Sequence, residues 1–69
     1  MIKLIGGPLH DSVMTINPET ITSLSFDGRF IRCHNMRLDE RVTYERSYQS
    51  DEGIRVFFYM HRGTIRDDN

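Results

Sequence analysis

The sequence predicts a small all-β single domain, either an SH3-like barrel or a strongly curved antiparallel meander of about five to six short strands. Three observations carry this. Apolar and polar residues alternate at period two in several short runs, which sets one row of side chains on a buried face. Turn residues punctuate the chain at short intervals: Gly6-Gly7-Pro8, Asn17-Pro18, Asp27-Gly28 and Asp51-Glu52-Gly53. No helical period persists beyond two turns.

The elements follow in order. Ile2–Ile5 reads as a first strand, closed by Gly6-Gly7-Pro8. Ser12–Ile16 is a second, ended by Asn17-Pro18, and Thr20–Phe26 a third, rich in β-branched residues. Asp27-Gly28 then stands between two strand-like runs as a hairpin signal, with Phe30–His34 as the returning strand. Asn35–Glu40 is polar and irregular. Arg41–Tyr48 alternates, with Val42, Tyr44 and Tyr48 on one face and Thr43, Glu45 and Ser47 on the other. Gln49–Gly53 is a turn cluster. The domain is expected to span 1–62, and 63–69 to fray, because Ile65 is the only apolar anchor there.

Ile54–His61 is the strongest strand. Its alternation is expected to send Ile54, Val56, Phe58 and Met60 into the core, leaving Arg55, Phe57, Tyr59 and His61 on the opposite face. That second face is too aromatic for a plain solvated surface, so a dimer interface, a second small core, or a ligand or partner site is expected there.

Size and charge narrow the function. A chain of 69 residues holds one domain and a thin core, since ordering each residue costs roughly 1.5 kcal/mol. The single cysteine, Cys33, allows no internal disulfide, where a secreted domain of this size usually carries several. The apolar run at the N-terminus stops at Gly6, too short for a signal sequence or a membrane span. These features point to a cytoplasmic protein that does not enter a membrane.

Nine basic and ten acidic residues leave a formal charge of −1. The distribution is uneven, at −2 over residues 1–28, +3 over 29–66 and −2 over the end. Six of the seven aromatic residues lie in the positive stretch, and every basic residue except Lys3 is arginine. Arginine suits planar contacts and stacking, although a bias in codon usage produces the same composition.

Nothing in the chain has the spacing that catalysis requires. His10, Asp11 and Ser12 are adjacent, whereas a triad needs side chains converging from separate segments. Cys33 and His34 point to opposite faces of a strand and cannot form a dyad. Cys33 with His10, His34 and His61 shows no metal-ligand spacing. Gly6-Gly7-Pro8 lacks the following helix that a phosphate loop needs. The reading is therefore non-enzymatic, without cofactor or metal.

One constellation remains. Arg32, His34, Arg46, Arg55, Tyr59 and His61 combine basic and aromatic groups, the combination by which sheets bind single-stranded nucleic acid or nucleotides. Asp39, Glu40, Glu45, Asp51 and Glu52 are interleaved there and dilute the field, while phosphate binders are usually clearly basic.

The opening Leu4-Ile5-Gly6-Gly7-Pro8-Leu9-His10-Asp11-Ser12-Val13 resembles the start of small proteins of unassigned function encoded by tailed bacteriophages, in which a strand, Gly-Gly-Pro, an acidic residue and a second strand recur. Their Tyr-rich C-terminal hairpin is similar to Tyr44-Glu45-Arg46-Ser47-Tyr48 followed by Asp51-Glu52-Gly53 and Val56-Phe57-Phe58-Tyr59. The register departs at His10-Asp11-Ser12, where those proteins commonly have Asp-Gly. The resemblance implies a phage setting, hence host cytoplasm, and carries no active site.

The expected function is a phage accessory protein that binds and modulates or inhibits a host or phage protein. Its partner-binding residues are Arg46, Arg55, Phe57, Tyr59 and His61. The alternatives are an anion-binding module and a virion or assembly component, with the aromatic face serving as a homodimer contact in the latter.

Overall fold

The computed structural model describes residues 1–28 and 36–66. Five strands form one strongly curled, half-barrel sheet, and the described residues contain no helix. They are β1 (Ile2–Ile5), β2 (Val13–Met14), β3 (Ser23–Asp27), β4 (Glu40–Asp51) and β5 (Ile54–Arg66). Their spatial order is β2-β1-β5-β4-β3. The all-β expectation holds, with one departure. β1 and β5 run parallel, Leu4 beside Tyr59 and Ile5 beside Met60, so the sheet is mixed and the chain is more than a meander.

Local chemistry explains the turns. β4 and β5 are joined by Glu52 and Gly53 alone, both at positive φ (51° and 79°), the backbone of a two-residue hairpin loop matched to strand twist. Gly6 and Gly7 also take positive φ, and a Cβ on Gly7 would lie 2.5 Å from the His61 ring. Only glycine fits between β1 and that ring. In the Asn17 turn, the Asn17 side chain accepts the Glu19 N–H at 3.1 Å, and its carbonyl accepts the N–H groups of Thr20 and Ile21.

The core lies on the concave side. Ile2, Leu4, Leu9, Val42, Tyr44 and Tyr59 are buried, and Met14, Ile16, Ile21, Leu24, Phe26, Met36 and Phe57 pack against them. Cross-strand register sets this face, with Leu24 opposite Tyr44, Phe26 opposite Val42 and Tyr59 opposite Arg46. Leu9 plugs the end of the half-barrel from the β1–β2 connection. Each fully buried aliphatic residue here contributes about 1.5–3 kcal/mol of hydrophobic stabilisation.

The core face of β5 is the reverse of the sequence expectation. Tyr59 is fully buried and Phe57 packs on the core, whereas Ile54, Val56 and Met60 are exposed. The physical reason is register. The two-residue loop pairs Asp51 with Ile54, which sets Tyr48 opposite Phe57 and Arg46 opposite Tyr59. Val42 and Tyr44 turn inward, as their alternation predicts; Tyr44 carries the odd-numbered His61, Tyr59 and Phe57 inward with it, whereas Val42 stands opposite Thr64. Past Tyr44 a β-bulge adds Arg62, which pairs with no residue of β4.

Other boundaries shift as well. β2 contracts to Val13–Met14 and β3 begins at Ser23. β4 reaches Asp51, so only Glu52 and Gly53 of the predicted turn cluster form the loop. Gly63–Arg66 pair with Glu40–Thr43 and continue β5 past the expected domain end at residue 62. The described partner of β3 is β4, and the Gly28 N–H donates to the Glu40 carbonyl at 2.9 Å to extend that ladder. The predicted strand Phe30–His34 lies outside the described residues, as do residues 67–69.

Candidate functional site

β4 and β5 are 12 and 13 residues long, and outrun their neighbours. β3 pairs with β4 only as far as Glu45, with one further bond from the Arg46 N–H to the Thr22 carbonyl. β1 pairs with β5 only at Tyr59 and Met60. Among the described residues the ribbon from Ser47 to Phe58 therefore pairs only with itself, and it contributes to a molecular length of 46 Å against widths of 20 and 17 Å.

On this ribbon the concave face continues outward from the core and changes character. Past Tyr44 and Tyr59 it presents Arg46, Phe57, Tyr48 and Arg55 as a diagonal ladder, two neighbouring rings between two guanidinium groups. The Arg46 guanidinium lies 5.6 Å from the Phe57 ring centre, and that of Arg55 lies 5.1 Å from the Tyr48 ring centre. The two rings are 6.2 Å apart. Such cation–π contacts set each guanidinium over an aromatic face and are worth about 0.5–1 kcal/mol where exposed. Glu19 borders the same hollow.

The inner end of the ladder is anchored. Arg46 Nη1 donates to the Pro18 carbonyl at 2.6 Å, and the Tyr59 hydroxyl beneath donates to the Ile21 carbonyl at 2.5 Å. The Asn17 turn therefore clamps the base of the ribbon. The outer end is open, with Tyr48 and Arg55 facing solvent. Neither Arg46 nor Arg55 forms an ion pair with a carboxylate among the described residues, unlike Arg37 and Arg66 on Asp39 and Arg62 on Glu45.

The structure thus gathers Arg46, Arg55 and Phe57 in one place and separates two of the five predicted partner-binding residues from them. Tyr59 is a core residue, whose phenol burial pushes above its ordinary pKa, opposed by the nearby Arg46 charge. His61 lies farther toward the closed end, its ring 5.5 Å from that of Tyr44, with Nε2 3.2 Å from the Thr64 hydroxyl. Tyr48 takes their place. Its signal was legible, because reading Glu52-Gly53 as a two-residue loop sets Tyr48 directly opposite Phe57. Arg32 and His34 of the basic-aromatic constellation lie outside the described residues.

The other candidate chemistry has structural roles. His10 Nδ1 accepts the Gly6 N–H at 2.7 Å, and Nε2 lies 3.5 Å from Asp11 Oδ2. Asp11 takes a positive φ of 69° in the turn, and its N–H donates to the Leu4 carbonyl. The Ser12 carbonyl accepts the Leu4 N–H. Among the described residues no three His, Cys, Asp or Glu side chains come together as metal ligands, and Cys33 lies outside them. No helix among them is long and apolar enough to cross a membrane.

No family model matches the chain, and neither the curated proteins nor the solved structures contain a significant match. The geometry of the ribbon therefore carries the functional argument.

Proposed function

We propose that this chain is a non-enzymatic accessory protein that binds another protein through the ladder Arg46-Phe57-Tyr48-Arg55. The observation that carries this reading is the open stack of two guanidiniums on two rings, on a ribbon that projects past its flanking strands. Arginine and tyrosine are the residues most often found as binding anchors. The ladder is ordered before binding, since each guanidinium already rests on a ring, and less side-chain entropy is lost on contact. Two arginines without a carboxylate partner among the described residues favour an acidic patch on the other protein.

The resemblance of Leu4–Val13 to small tailed-phage proteins supports a host or phage protein as the partner, with modulation or inhibition as the outcome and the host cytoplasm as the compartment. Capture on the immobilised chain from host lysate and from phage-infected lysate tests this. One protein should be retained by the wild-type chain and lost with the Tyr48→Ala/Arg55→Ala double variant. Retention of nothing, or equal retention by both chains, overturns the reading.

The same ladder supports a second reading, in which the two guanidiniums and rings hold a single-stranded nucleic acid or a nucleotide. Salt separates the two. Nucleic-acid binding through phosphates weakens steeply between low and physiological salt, and affinity that does not change over that range removes this alternative.

A further inference from the structure

The convex face of the ribbon is a separate surface from the ladder. Along β5 it presents Ile54, Val56, Phe58 and Met60, with Ile5 of β1 beside Met60. Ile54 is 67% exposed and Val56 54%. Across on β4, Ser47 lies opposite Phe58 and Gln49 opposite Val56. The centre of this face is therefore apolar and uncharged. Its charges lie at the ends and margins, on Lys3, Asp51 and the Glu45–Arg62 pair at 3.1 Å. An apolar centre depleted of charge inside a charged rim is the anatomy of a protein interface.

We infer that this face packs against the same face of a second copy of the chain, related by a two-fold axis. Three observations select a second copy. The first is area. A compact monomer of 8.2 kDa exposes about 4,500 Å², whereas this chain exposes 5237 Å². The excess, about 700 Å² over the whole chain, leaves room for the roughly 800 Å² that each partner buries in a standard interface. The radius of gyration agrees, at 13.0 Å against about 11 Å for a compact domain of this length.

The second observation is shape. The face carries both a projection and a hollow. Ile54 projects at the tip, while Met1, Ile5, Val56 and Phe58, bordered by Lys3 and Gln49, line a depression where β1 stops short of the ribbon. A two-fold axis between them seats each projection in the opposite hollow, the self-complementarity an isologous contact requires. The third is the ribbon itself. Two strands without a covering layer are marginal in water, and a second sheet packed face to face supplies that layer.

This interface does not rest on the partner-binding reading, because it uses the opposite face of the ribbon. Sedimentation equilibrium on the full chain, from micromolar to millimolar concentration, tests it. The wild-type chain should rise to twice the 8.2 kDa monomer mass. Val56→Lys and Ile54→Lys should each weaken association roughly tenfold or more, with an unchanged far-ultraviolet circular dichroism spectrum, since both positions are exposed. The Tyr48→Ala/Arg55→Ala variant should dimerise as the wild type does. A wild-type monomer at every concentration overturns the inference, and so does a dimer that tolerates both lysines. Loss of the dimer in the ladder variant also overturns it. A dimer with no captured protein leaves the interface standing and removes the partner reading alone.

Discussion

The Tyr44 hydroxyl donates to the Gly6 carbonyl at 2.6 Å, and from the same oxygen it accepts the Leu9 N–H at 2.9 Å. One side chain on the central hairpin thus fastens the loop that carries Leu9 over the end of the half-barrel. Tyr59 does the equivalent for the Asn17 turn through the Ile21 carbonyl. Two buried phenols link loop backbone to the sheet across 35 or more positions of sequence.

Tyr44→Phe removes both bonds and leaves the Leu9 N–H buried without that acceptor. The expected loss is about 1–3 kcal/mol, read as a lower denaturant midpoint with an unchanged slope. A variant as stable as the wild type would show that the loop is held by packing of Leu9 alone.

The same two phenols predict an alkaline limit. Burial raises the pKa of Tyr44, opposed by its bond from the Leu9 N–H, and burial raises that of Tyr59, opposed by Arg46. A raised folded-state value favours the protonated folded chain. Their contribution is complete below the unfolded value near 10 and is lost as pH rises through the folded values. Tyrosinate absorbance from these two rings should therefore appear together with loss of the far-ultraviolet strand signal. Ionisation of all three tyrosines with the sheet intact would contradict this.

Gly7 and Gly53 make a matched pair. Both take positive φ, which costs a non-glycine residue roughly 1–2 kcal/mol. A Cβ at Gly53 meets nothing within 4 Å, whereas at Gly7 it overlaps the His61 ring and lies 2.8 Å from the Tyr44 oxygen. Gly7→Ala should therefore destabilise more than Gly53→Ala in parallel thermal melts. Equal losses would assign the whole cost to the backbone.

Tyr48→Ala with Arg55→Ala should leave stability within about 2 kcal/mol of wild type, since an exposed ring–guanidinium contact and the Tyr48–Phe57 ring contact are lost. The same pair should abolish capture of the partner protein. A large drop in melting temperature would make the ladder a structural device instead.

Much of this architecture is legible in the residues. Ile2–Ile5 is a strand with the expected bounds, Val42 and Tyr44 face inward as their alternation predicts, and the Gly6-Gly7-Pro8 turn closes β1. Arg46, Arg55 and Phe57, all singled out in the sequence, line one hollow. The orientation of β5 is not legible from β5 itself. Ile54, Val56, Phe58 and Met60 are as apolar as a core row, and period two says which residues share a face without saying which face is buried.

The sequence by itself therefore determined an all-β chain, its turns, and a last strand with two apolar rows. Tertiary structure decided which row is inside. The two-residue loop couples the parity of β5 to that of β4, and the curled sheet offers the buried tyrosines carbonyls from the Gly6 and Ile21 loops. A row of aliphatic side chains makes no such directional bonds, so the hydroxyl-bearing row turns inward and the aliphatic row is left on the convex face.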